Sequence, residues 1–204
     1  MAARITADTL VKMLNPGRMP AHGGSGQWPE PGKWRDVSGP LVPCENGLHV
    51  CTISQCLGWA APEMWLVEVG VQHIDHGDKT VAQRVRLIER VETWNDRNLR
   101  LFAADCVERV LPIYERDYPH DGRPRNAIAI ARRYAVGDAT DDELVAAWAA
   151  SWDAAWAASW NAARAASWAA ARAASWDGSW AASWAAERQW QVERLLAYLN
   201  GEVA

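Results

Sequence analysis

The chain has 204 residues, enough for one core or two small ones, since domains run to roughly 100–150 residues. Its formal net charge of -4 hides an asymmetry: residues 1–137 carry 17 Lys+Arg against 16 Asp+Glu, and residues 138–204 carry 4 against 9. Neither part is basic, which argues against nucleic-acid binding through phosphate neutralisation.

Taken in chain order, Thr6 to Leu14 read as a short helix, with Thr6 as N-cap and Leu10, Val11 and Leu14 on one face. From Asn15 to Pro43 glycine and proline are dense and predict a loop. Asn46-Gly47 signals a hairpin, and the alternation after it sets Leu48 and Val50 on one face of a strand. The stretch Ser54–Pro62 has room for one helical turn. Two further half-buried strands follow, one over Trp65, Val67, Val69 and Val71, the other over Val81, Val85 and Leu87, with His73–Lys79 as the turn between them. From Asn95 the period becomes helical through Leu99, Phe102, Cys106 and Val110, and Pro112 is expected to kink or shorten that helix. A second helix spans Asn126–Val136 and ends at Gly137. The expected class is α+β, a small and largely antiparallel sheet in residues 1–94 followed by an all-α domain in residues 95–204.

That helical part contains an alanine-rich array. Thr140 and Glu143 form a capping box, and Trp148, Trp152, Trp156, Trp160, Trp168, Trp176, Trp180 and Trp184 share one four-residue phase with Arg164, Arg172 and Arg188. Alanine between them favours helix locally. A four-residue step turns ~400°, so the stripe drifts ~40° per repeat and cannot stay on one face of a straight helix. A break is expected at Asp177-Gly178, and Asn200-Gly201 should close the last helix. The arginines mark where the stripe reaches solvent, so Arg164, Trp168 and Arg172 are the candidate partner contacts, while Trp148 to Trp156 should face the preceding helices.

Among chemistry-bearing residues, Cys44, His49, Cys51 and Cys56 lie within thirteen residues, with His49 and Cys51 on one side of a strand. Zinc would be conceivable there, but the spacing lacks a Cys-x2-Cys knuckle, and small buried thiols explain the cysteines without metal. No phosphate loop, metal pair or nucleophile elbow is present, so no cofactor is expected. No stretch approaches the roughly 18 apolar residues that span a bilayer, and the expectation is a cytoplasmic protein with no membrane partner.

At PGKW, GPLVPCENGLHVC, WLVEV and GDKTVAQRVRLIERVETW, residues 27–94 resemble uncharacterised bacterial and phage proteins that share a Gly-x-His-x-Cys hairpin and a following Gly-Asp-Lys strand. The continuation RLFAADCVERVLPIYERDYPHDGRPRNAIAIARRYAVG, the Ala/Trp array and the ending ERQWQVERLLAYL are similar to helical proteins labelled as immunity proteins. The resemblance implies a non-enzymatic interaction module, immunity-like or a phage–host modulator, whose partner is another protein. The alternative is an ADP-ribosyltransferase-like enzyme or nucleotide binder, with His49 and Glu68 lining a cleft between strands.

Overall fold

Strand β1 (Leu10–Asn15) is the element around which the first part of the chain is built. In the computed structural model, which describes residues 4–150 and 177–203, it pairs with strands on both sides. Leu10, Val11 and Leu14 fit a helical period, which is why a helix was expected here. Val11 and Met13 equally fit a period of two, and pairing on both edges decides for strand. Thr6, expected as an N-cap, closes a turn instead: the Thr9 amide donates to the Thr6 carbonyl at 3.1 Å, and the Thr6 amide donates to Thr9 Oγ1 at 2.8 Å.

The other strands are β2 (Met19–Pro20), β3 (Trp34–Asp36), β4 (Leu48–Thr52), β5 (Glu63–Val69), β6 (His73–His76), β7 (Lys79–Ala82) and β8 (Arg84–Arg90). All pairs are antiparallel, in the order β3-β8-β5-β1-β4-β7-β6, with β2 attached to β1. The 3-10 turn expected in Ser54–Pro62 is present at Cys56–Trp59.

Three expectations are corrected by these pairings. Asn46-Gly47 is a turn without a two-strand hairpin: only the isolated bridge Val42–Asn46 precedes β4, whose partners are β1 and β7. His73–His76, expected as a turn, is itself strand β6, so the turn shrinks to Gly77-Asp78. The single strand expected over Val81–Arg90 changes partners at Gln83, β7 going to β4 and β6, and β8 to β5 and β3.

That change of partners shapes the sheet. Laid flat, β7 and β8 would stand four strand spacings apart, about 19 Å. One residue joins them, and two Cα steps reach only about 7 Å. The sheet therefore curls over on itself around Leu14, Trp28, Leu48, Val50, Trp65, Ala82, Val85 and Leu87, a cluster of buried side chains from β1, β4, β5, β7 and β8 with Trp28 from the loop after β2.

The chain divides into two compact units, residues 1–95 with 192–204, and residues 96–191. In the sheet unit the C-terminal segment is tied in by polar contacts: Thr93 Oγ1 donates to the Leu199 carbonyl at 2.7 Å, and the Asn200 side chain accepts from the Ile5 amide and donates to its carbonyl, both at 3.0 Å.

In the helical unit α1 (Asp96–Asp117) continues through Pro112, and α2 (Arg123–Ala135) begins three residues earlier than expected because Pro124 fits the first turn of a helix. Arg125 pairs with Glu115 and Arg132 with Asp105 and Glu108, so α2 runs antiparallel to α1. Ala104, Leu111 and Ile128 form their shared apolar contact. Gly137, at φ 85°, ends α2 with its amide on the Tyr134 carbonyl and that of Asp138 on the Arg133 carbonyl. The capping box is formed as expected: the Thr140 amide donates to Glu143 Oε2 at 2.8 Å and the Glu143 amide to Thr140 Oγ1 at 3.2 Å. It opens α3, helical over residues 141–150 as far as described. There Trp148, expected to face the preceding helices, is 64% exposed, and the buried position belongs to Ala147, one residue and about 100° round the helix.

Asp177 and Gly178 are both helical within α4, described over Asp177–Leu199, which closes at Gly201, at φ 68°, as expected. The break expected there and the array's remaining tryptophans to Trp176, with Arg164 and Arg172, fall on or against positions outside the described residues.

Candidate functional site

The ladder between β1 and β4 holds only Leu10–Thr52 and Val11–Cys51. Two steps further the same register would set Met13 against His49. The strands part instead: β1 proceeds to β2, and β4 to β7. The fork is bridged by Lys12, whose Nζ donates to the His49 carbonyl oxygen at 2.8 Å. A cavity of about 380 Å³ opens at this fork, walled by both strand ends, the glycine-rich loop from His22 to Ser25, and the Cys44–Gly47 turn.

Gly47 makes that turn possible. Its φ is 148°, and a Cβ there would lie 2.3 Å from Val81 Cγ1, far inside contact distance. Just before it, Cys44 adopts a left-handed φ of 67°, which aims its amide at His49 Nε2 at 3.2 Å. His49 Nε2 is thus an acceptor, so the neutral ring carries its proton on Nδ1. Desolvation, helped by Lys12 and Lys79, lowers the His49 pKa and favours the same neutral form.

Three cations line the cavity. Lys12 Nζ stands 5.3 Å and the Arg35 guanidinium 5.1 Å from the centre of the Trp28 ring, and Lys79 Nζ 4.9 Å from that of Trp59. Lys79 also has Cys44 Sγ at 3.3 Å and Asp78 Oδ1 at 3.7 Å. Arg35 donates to two carbonyls, Ser25 at 2.6 Å and Gly26 at 3.2 Å. Neither Lys12 nor Arg35 has a carboxylate within ion-pair distance among the described residues. Burial, with Arg35 adding to it against the opposing effect of Cys51, brings the Lys12 pKa down from 10.5 to about 8. Sequence reasoning passed over Lys12 and Arg35. The signal for Lys12 was a lone charge inside the apolar run Leu10–Leu14.

His49 lines the cavity, but Glu68 does not. β1 stands between their strands, which sets them two spacings, about 9–10 Å, apart. Glu68 is held by Arg86, whose Nε donates to Oε2 at 2.9 Å. The structure thus does not join them in one acid–base site. Cys51 is buried, and burial raises its pKa to about 12, so it stays a thiol rather than a nucleophilic thiolate. Cys56 is buried as well, while Cys44 is exposed. Among the described residues no group of three or more His, Cys, Asp or Glu is placed to hold a metal ion. Arg164, Trp168 and Arg172 lie outside the described residues.

The molecule is thus an α+β protein, with a curled antiparallel sheet carrying the cavity and a helical unit following it. Residues 89–178, from the end of β8 through α1, α2 and α3, match the family described as Imm-5 like putative immunity protein. No curated protein and no solved structure matches the chain. Among the described residues no helix is long and apolar enough to cross a membrane.

Proposed function

We propose that the chain is a non-enzymatic, immunity-like protein that acts by binding another protein through its helical unit. The observation that carries this reading is the family match, which covers the helices and leaves the sheet aside. Arg164, Trp168 and Arg172 are the proposed contact, because tryptophan and arginine supply much of the binding energy at protein interfaces.

The test is protection. The chain is co-expressed with a toxin encoded beside its gene, growth is followed, and the complex is sought by size-exclusion chromatography. The expected result is restored growth with a stoichiometric complex, both weakened by Trp168→Ala in a variant that melts like the wild type. Growth arrest despite the chain, or rescue with no complex, would overturn the reading.

A further inference from the structure

We propose that the cavity at the β1–β4 fork binds a small molecule bearing a phosphate or carboxylate group, with Lys12 as the anchoring cation. This stands apart from the protein-binding reading, since every residue it uses belongs to the sheet unit.

Lys12 carries a charge that the described residues do not neutralise. An ammonium has three donors, and Lys12 spends one on the His49 carbonyl. Among the described residues the two others face no carboxylate, and the nearby guanidinium of Arg35 is a second cation in the same position. Filling the fork needs no charge: a methionine would occupy the same space without the desolvation cost, giving up only the hydrogen bond to the His49 carbonyl. A retained, uncompensated charge at a cavity is instead what an anion site requires.

The surroundings fit the same ligand. His49, a residue of the lining, is held with Nε2 as acceptor, which leaves its Nδ1–H as a neutral donor. Gly23 and Gly24, at φ 81° and 85°, have open space where a Cβ would stand, so ligand oxygens can approach the backbone of that loop closely. A volume of about 380 Å³ is in the range of small-molecule sites. Glu45, exposed in the lining, is the opposing charge, and it favours a ligand with one anionic group over a polyanion.

Three probes decide the matter by isothermal titration of the full chain: phenyl phosphate, benzoate and neutral phenol. Saturable 1:1 binding of at least one anion is expected, with none for phenol. The tighter anion tells phosphate from carboxylate. Lys12→Met should weaken binding about tenfold or more without lowering the melting temperature, whereas Lys33→Met, at an exposed lysine outside the cavity, should leave it unchanged. Glu45→Gln should tighten it. Absence of saturable binding of either anion up to about 10 mM, or equal affinity in Lys12→Met, would overturn the proposal. Failure of the protection assay would leave this result untouched, and the reverse holds as well.

Discussion

The arginines of α2 in the helical unit and the cavity cations of the sheet unit meet charge in opposite ways. In the helical unit the arginines of α2 meet carboxylates: Arg132 lies 2.6 Å from both Asp105 and Glu108, Arg125 lies 2.7 Å from Glu115, and Arg123 lies 2.7 Å from Asp121. Asp105 is only 7% exposed, yet its charge is answered. In the sheet unit Lys12 and Arg35 are brought against an apolar core and, among the described residues, are answered by carbonyls and the Trp28 ring. Paired charges of the first kind hold helices in register. Charges of the second kind cost stability and point to something the fold itself does not supply.

The largest expected effect breaks the cavity wall rather than a charge. Gly47→Ala combines a positive φ with a Cβ 2.3 Å from Val81 Cγ1, and should cost about 3 kcal/mol in urea unfolding. An unchanged midpoint would show that the Cys44–Gly47 turn yields freely. Next comes the paired side of the comparison. Arg132→Met leaves the nearly buried Asp105 without its guanidinium and should lower stability by about 2 kcal/mol, a value discounted because Arg132 is partly exposed.

Lys12→Met should have the opposite sign. The Lys12 pKa is depressed to about 8, so between about pH 8 and 10.5 the unfolded chain holds a proton that the folded chain has released. Stability gains from this group as pH rises through that window, and at pH 7 the whole penalty is present. Burial is the main cause of that shift, with Cys51 on β4 opposing it and Arg35 on β3 adding to it; the His49 pKa is itself lowered by burial first and then by Lys12 and Lys79. The substitution should therefore stabilise at pH 7, by about 1–2 kcal/mol after allowing for solvent access, and the gain should fade toward pH 10.5. Thermal melts across that range measure it, and destabilisation at pH 7 would place Lys12 with the structural ion pairs. The smallest effect is Thr140→Ala, which removes the side-chain acceptor of the Glu143 amide and should cost about 1 kcal/mol in the melting of the helical unit.

Legibility also divides between the units. Helix ends are set by residues close in sequence, so Thr140 with Glu143, Gly137 and Gly201 could all be placed from the chain. Trp148 could not, because a four-residue phase permits several burial patterns until the partner helix is known. In the sheet the alternation at β4 and β5 was visible, and the antiparallel α+β class with it. The identity of β1 was not, since Leu10, Val11 and Leu14 satisfy both periods and only distant partners choose between them. The cavity shares that origin. It arises where β1 and β4 stop pairing, a fact about register that no local pattern carries, so His49 was singled out while Lys12 and Arg35 were not.

The most direct test of the contrast between answered and unanswered charge is the titration of Lys12 itself. It is followed by NMR of the full chain with labelled lysine side chains, assigned with Lys12→Met, with and without phenyl phosphate. A midpoint near pH 8 in the free protein, moving upward when the ligand is added, is what the structure predicts. A midpoint at the ordinary lysine value, unmoved by the anion, would contradict it.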